Sequence, residues 1–357
     1  MKIAFITRST LYKVPGGDTI QVQQTVRQLR KKGVKADIHL THTAIDYSGY
    51  DLFIFSNITR PSDILFHVKR IKKPFAVSPI LIDYSEYDRN YRKGLAGMIL
   101  KKFHGGEYIK TISRWLNGSD RLQSKSYLWK GHRRSVREIL RRATILLPAS
   151  VMEYEKLKEL YGIEKNYVVV PNGVDPSVFH SNIENVKNNK LVLCAARIEG
   201  IKNQLNLIQA LNNTEYTLML IGAPAPNQKK YYDECRRIAG KNIFFYNQVP
   251  QEVLAGYYKI AKVHALPSWF ETCGLSSLEA VAMGCNIAIT ERGYTKDYFA
   301  NDAFYCEPGN PQSIYNAIDR AAHSNSSQAL QTKILHQYTW QNAATIILEA
   351  CKNIISG

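Results

Sequence analysis

The chain has 357 residues, 45% of them hydrophobic, and carries 47 Lys and Arg against 30 Asp and Glu for a formal charge of +17. That is enough apolar material for ordinary globular cores, at a length that suits about two domains. No run of about 18 apolar residues occurs, which excludes a membrane-spanning helix. The six cysteines (194, 235, 273, 285, 306 and 351) show no CxxC spacing and no Cys/His cluster, which excludes a zinc site and points to free thiols of a reducing compartment.

The opening MKIAFITRST meets polar residues too soon for a signal peptide and predicts a buried parallel strand over Lys2–Thr7. A loop with Gly16 and Gly17 follows, then a helix for which Asp18 is the expected N-cap and Gln21 the residue reaching back in a capping box. Val22, Val26 and Leu29 form the inner face of that helix and Gly33 ends it. Strands are expected over Val34–Leu40, Tyr50–Ser56 and Phe75–Ile80, with a helix near Pro61–Ile71. This strand–helix alternation argues for a doubly wound parallel sheet. In such a sheet ligands bind at the C-terminal ends of the strands, where the two glycines lie.

Between Arg89 and Arg142 fifteen Lys/Arg stand against three Asp/Glu, so this segment holds most of the excess charge. A local basic field implies an anionic partner: nucleic acid, an acidic glycan or lipid headgroups. Leu95, Met98, Ile99 and Phe103 share one helical face, and Tyr108, Ile109, Ile112, Trp115 and Leu116 another, with Lys101, Lys102, Lys110 and Arg114 among them. A basic amphipathic helix of this kind lies in a membrane interface or packs on its own domain with the charges outward. The segment carries no nucleic-acid recognition motif, and no nucleic-acid partner is expected.

A strand over Ala143–Pro148 leads to a second capping box, Ser150 to Glu153, and a helix through Leu160. The polar stretch Ser181–Lys190 reads as a linker. Alternation then resumes: a strand over Leu191–Ala196, a loop with Arg197 and Lys202, a helix over Gln204–Leu211, and strands over Tyr216–Gly222, Ile243–Tyr246, Val263–Pro267 and Asn286–Thr290. Asn310-Pro311 starts a helix, and a last helix runs from about Thr339 to Ile355. Arg197 and Lys202, leaving one strand end together, could neutralise a diphosphate.

The most informative string is PSWFETCGLSSLEAVAMG, Pro267–Gly284. It reads as a strand end, a tight turn at Glu271-Thr272-Cys273-Gly274, and a helix whose apolar face is Leu275, Leu278, Ala282 and Met283. Glu271 and Glu279 bracket a helix N-terminus, whose unpaired N–H groups can hold a phosphate. Acids beside an anion site suit a ligand with hydroxyls flanking a phosphate.

This string resembles the signature of the retaining GT-B glycosyltransferases, the large family numbered four (glycosyl transferases group 1). The Gly16-Gly17 loop, the Pro171-Asn172-Gly173-Val174-Asp175 turn and the Arg197…Lys202 pair match the same family. The resemblance implies an α/β GT-B fold with two Rossmann-like domains facing across a cleft. Their expected bounds are 1–180 for an acceptor-binding domain and 181–338 for a nucleotide-sugar-binding domain, with 339–357 a helix returning to the first. It implies transfer of a sugar from a nucleoside diphosphate donor, with UDP the expected nucleotide, to a hydroxyl acceptor. The anomeric configuration is retained, with no metal or cofactor, in cell-surface polysaccharide or glycolipid synthesis. Glu279 would hold the donor ribose, Glu271 the transferred sugar, and Arg197 and Lys202 the departing diphosphate. Gly16, Gly17, Val249, Thr272, Cys273, Gly274 and Leu275 would complete the donor site. Relatives often carry His after the fourth strand; Asp83, with Tyr84, is the substitute here on the acceptor side. The usual Gly-Phe of the turn is Thr272-Cys273, which would shrink a pocket wall. The expected partners are the donor, a glycan or lipid-linked acceptor and an anionic membrane surface through 89–142; the expected location is the cytoplasm, peripheral on the inner face of the membrane. Rival readings are a glycoside hydrolase using Glu271 and Glu279, a nucleotide-sugar epimerase on the same fold, and a polyanion-binding protein built on 89–142.

Overall fold

The computed structural model describes residues 1–90, 106–118, 120–181 and 186–356. The helical face expected at Leu95, Met98, Ile99 and Phe103, with Lys101 and Lys102, lies outside the described residues, as does part of the expected linker. Two compact units form: Met1–Asn172 together with Trp340–Gly357, and Gly173–Thr339. The division falls after Asn172 and not after position 180, because Val174 and Phe179 are buried in the core of the second unit.

In the first unit β1 (Lys2–Thr7), β2 (Lys35–Leu40), β3 (Leu52–Ser56), β4 (Phe75–Ser78) and β5 (Ile145–Leu146) form one sheet in the order β2-β1-β3-β4-β5. Every pairing is parallel. Ala4, Ile6, Phe53 and Phe55 are buried on one face, and Ile3, Phe5, Leu52 and Ile54 on the other. Burial on both faces is why these strands read as unbroken apolar runs. The helices Gly17–Lys31 and Trp340–Ser356 pack on the second face and on each other.

Both capping boxes differ from expectation. The first helix starts at Gly17 with Gly16 as its N-cap, and Thr19 Oγ1 accepts from Gly16 N at 3.0 Å. Asp18 instead takes the Arg8 guanidinium through both oxygens, at 2.6 and 2.9 Å; a bidentate charged bond outcompetes a neutral cap. At the second box Ser150 Oγ accepts from Glu153 N as expected, at 3.1 Å. The Glu153 carboxylate, however, takes Ala149 N (2.5 Å) and Leu81 N (2.6 Å), the latter from the loop after β4. That loop is strained: Ile80 has φ +47°, a conformation β-branched residues rarely adopt.

In the second unit β6 (Asn188–Ala195), β7 (Thr217–Ile221), β8 (Ile243–Tyr246), β9 (Ala261–Leu266), β10 (Asn286–Thr290) and β11 (Phe304–Cys306) lie in the order β11-β10-β9-β6-β7-β8, all parallel. This is the doubly wound nucleotide-binding order, and its reversal lies between β6 and β9. In the first unit the reversal lies between β1 and β3. All six cysteines are free and buried. Among the described residues no helix is long and apolar enough to cross a membrane.

Glu153 is fully buried, and burial pushes its pKa up to about 7, against a smaller downward pull from the Leu81 and Ala149 N–H groups. The folded state therefore favours the protonated acid. That stabilisation is complete below the unfolded pKa of about 4.5 and is lost as pH rises through about 7. Glu153→Gln cannot lose a proton, and its amide nitrogen must face one of two N–H donors. It should lower the melting temperature more at about pH 5 than at about pH 8, measured against wild type at each pH.

Candidate functional site

The reversal between β6 and β9 leaves room because the chains leaving the two strands turn in opposite directions. From β6 the chain passes Arg197 and closes a 3-10 turn, Gly200–Lys202, on Asn203 at φ +60°. Asn is among the few side chains that tolerate this region. Its amide donates to Pro267 O (2.9 Å) and Pro308 O (2.7 Å), and Trp269 N donates to Ile201 O (2.9 Å). The loop after β6 is thus stitched to the chain leaving β9.

Glu271 sits in that stitched segment. Its backbone N donates to Arg292 O (3.0 Å), and its carbonyl accepts from Tyr294 N (2.9 Å). Between these bonds lies Gly293 at φ +101°, where a Cβ would fall 1.9 Å from Glu271 O. The Glu271 side chain is 6% exposed as a residue, and its Oε1 accepts from Lys202 Nζ at 2.5 Å and from Ser268 Oγ at 2.6 Å. Burial works against the Lys202 ammonium, but Glu271, with Glu199 behind it, outweighs that and raises the Lys202 pKa. Arg197 Nη2 donates to Glu199 Oε1 at 2.9 Å.

The turn ends at Gly274, in the left-handed region at φ +68°, as N-cap of the helix Leu275–Ala282. Gly274 supplies no side-chain acceptor, so the helix opens on N–H groups suited to an anion. Thr272 and Leu275 are half-buried. Cys273 is 1% exposed and belongs to the apolar core. The expectation that it shapes a pocket wall is therefore corrected, since its side chain packs inward. Glu279 lies on the buried face of the helix at 9% exposure, and Gln251 Nε2 donates to its Oε1 at 3.5 Å. Burial pushes the Glu279 carboxyl up to about 8, with Gln251 pulling weakly the other way.

Arg197, Lys202, Glu271, Thr272, Gly274 and Leu275 are thus gathered at the ends of β6 and β9. Glu279 stands one helical turn further in, and Val249 lies in the loop after β8, partly buried against the core. Gly16, Gly17, Asp83 and Tyr84 belong to the first unit. Gly16 and Gly17 open its first helix at the end of β1. Asp83 Oδ1 accepts from Ser85 N at 2.9 Å and so supports the short helix Ser85–Asn90. The Lys110 ammonium sits 4.6 Å from the Tyr84 ring centre. Sequence reasoning missed Asn203, Gln251 and Gly293. Asn203 follows Lys202 directly and could have been found there; Gln251 and Gly293 are remote in sequence from the acids they touch.

Residues 178–335 match the family Glycosyl transferases group 1. An uncharacterised glycosyltransferase of Methanocaldococcus jannaschii is 20% identical over 388 residues, covering 96% of each chain. Among solved structures the chain is similar to sucrose-phosphate synthase from Thermosynechococcus elongatus, at 14% identity and a TM-score of 0.74 over 100% of both chains. It is also similar to Anabaena HepE in complex with UDP and glucose, at 14% identity and a TM-score of 0.67, again over 100% of both.

The fit of Gly293 against Glu271 sets a measurable constraint. Gly293→Ala should destabilise the protein by roughly 3 kcal/mol or more, because both the left-handed φ and the backbone contact forbid a methyl group. Denaturant unfolding checks this.

Proposed function

Because residues 178–335 belong to glycosyl transferases group 1 and both sheets have the GT-B arrangement, we propose that the chain moves a sugar from a nucleoside diphosphate donor, UDP first, to a hydroxyl acceptor with retention at the anomeric carbon. The observation that carries this reading is the meeting of Lys202, Glu271 and an open helix N-terminus at the β6–β9 reversal. Glu279 holds the ribose hydroxyls, since a carboxylate accepts from a vicinal diol through two oxygens. Glu271 binds hydroxyls of the transferred sugar. Lys202 and Arg197 take the diphosphate, with backbone N–H groups at Cys273, Gly274 and Leu275 around its distal phosphate. These cations and the helix dipole supply the positive field that stabilises the leaving group, and no metal is needed. The departing phosphate assists the acceptor hydroxyl on the same face of the sugar. Asp83 and Tyr84 belong to the acceptor side.

The acceptor we propose is a lipid-linked glycan met at an anionic membrane surface on the cytoplasmic side. In the described part of the basic segment Trp129 is 70% exposed, Leu116 73% and Trp115 41%. Arg121, Lys125, Arg133, Arg134, Arg141 and Arg142 are exposed in the same segment. Aromatic and apolar side chains among cations suit headgroups better than open water. No similar observation favours the hydrolase or epimerase readings.

Two experiments test these proposals. A thermal-shift panel with UDP, GDP and ADP should show stabilisation by one nucleotide, roughly 2.7 kcal/mol at about 100 times its Kd. Glu279→Ala should remove it, and chelator should leave it unchanged. Failure of all three nucleotides on folded protein would remove the donor site. In vesicle sedimentation, the protein should bind phosphatidylglycerol vesicles and leave phosphatidylcholine vesicles, with Trp129→Ala and Arg133→Glu weakening the binding.

A further inference from the structure

Glu279 is a buried acid with a single side-chain hydrogen-bond donor among the described residues, the Gln251 amide. Gln251 begins the helix Gln251–Ile260, directly after the loop that carries Val249. Seven residues on, and on the same helical face, Tyr258 is fully buried and its hydroxyl donates to Ser276 O at 3.0 Å. Ser276 and Glu279 are likewise three apart on one face of the Leu275–Ala282 helix. Two side-chain bonds, Tyr258 to Ser276 at 3.0 Å and Gln251 to Glu279 at 3.5 Å, thus link the two helices. The Tyr258 bond holds the buried end by a backbone acceptor. The Gln251 bond is at the half-buried end and alone touches the carboxylate.

We propose that Gln251 is the positioning residue for Glu279, and that through this acid it sets how strongly the site prefers a ribonucleotide over its 2′-deoxy counterpart. The inference rests on the proposed donor reading and deepens it. A carboxylate accepts from two neighbouring hydroxyls only when its plane is held toward both. The Gln251 amide bears on that plane from one side, through Glu279 Oε1. Without the Gln251 amide, Glu279 loses the one side-chain donor that orients it, so the loss falls on the ribose and spares the phosphates.

The test is calorimetric titration of the full chain with UDP and with 2′-deoxy-UDP. Wild type, Gln251→Met, Gln251→Ala, Glu279→Ala and the Gln251→Met/Glu279→Ala double variant are compared, each with a melting curve to confirm folding. The expected result is that Gln251→Met cuts the UDP preference by ~5-fold, on the scale of one hydrogen bond. The same substitution should add nothing in the Glu279→Ala background. Gln251→Ala should repeat the effect, so that a poorly folded Met variant does not decide the outcome. An unchanged preference in Gln251→Met and Gln251→Ala, or an additive loss in the double variant, overturns the role of Gln251 while leaving the donor site intact. A preference that also survives Glu279→Ala removes Glu279 from the ribose and overturns this inference with it. Wild-type protein that binds neither nucleotide, nor GDP or ADP, overturns both the donor reading and this inference.

Discussion

The pairing of Lys202 with Glu271 is the constraint around which the second unit is arranged. Both groups lie largely out of water, and each alone would pay several kcal/mol for its lost hydration. Together they are tolerable only at close range and with remaining lone pairs used, which Ser268 helps to provide. Such a fit requires two chain segments from different strands to be held to a fraction of an ångström. Asn203 and Trp269 do this from the side of β6, and the backbone bonds across Gly293 do it from the side of β10. The left-handed residues of this region are explained by that demand. Asn203 must turn the chain while its amide reaches two carbonyls, and Gly293 must leave room for a carbonyl where a side chain would stand.

The pair also has an electrostatic consequence. Lys202 and Arg197 each rest against an acid, Glu271 and Glu199. The cations at the end of β6 therefore do not stand as two free positive charges. Any anion drawn to these cations would compete with two carboxylates, and the helix N-terminus at Gly274 opens beside them without a side-chain cap. Binding in such a site is an exchange of partners. An anion draws the ammonium while its attached hydroxyls offer themselves to the acid left behind. That couples recognition of the charged and neutral parts of one ligand, which favours molecules carrying both over either alone.

Much of this was legible along the chain, and the failures have a common cause. Strands buried on both faces announce themselves as apolar runs, so β1, β3 and β10 lie close to where the residues place them. The Glu271…Glu279 string was legible because a turn and a helix start fix its spacing locally. Ser150 caps its helix as expected, but Asp18 and Glu153 leave their expected roles because their side chains answer to distant partners: Asp18 to Arg8, and Glu153 to the amide of Leu81. The helix Tyr127–Arg142 was hidden by its kink at Gly131, which breaks the apolar period, and β11 by having three residues. Gln251 was out of reach because its bond to Glu279 is a contact between helices and leaves no spacing in the sequence.

The substituted turn shows how burial redirects a sequence argument. Thr272-Cys273 stands where relatives of this pattern carry Gly-Phe, and replacing a large ring by a thiol suggests a wider or reshaped pocket. The Cys273 side chain is instead buried in the apolar core of the second unit. The residue of this pair that meets solvent is Thr272, half-buried next to Glu271. A branched side chain there stiffens a turn that glycine would leave loose. The backbone on either side is already pinned, by Gly293 against Glu271 and by the left-handed Gly274. The consequence of the substitution is thus rigidity in the segment that carries the acid, combined with one added methyl and hydroxyl beside it. Of the two substituted positions, the one whose side chain is open to a ligand at this turn is therefore Thr272 and not the buried thiol.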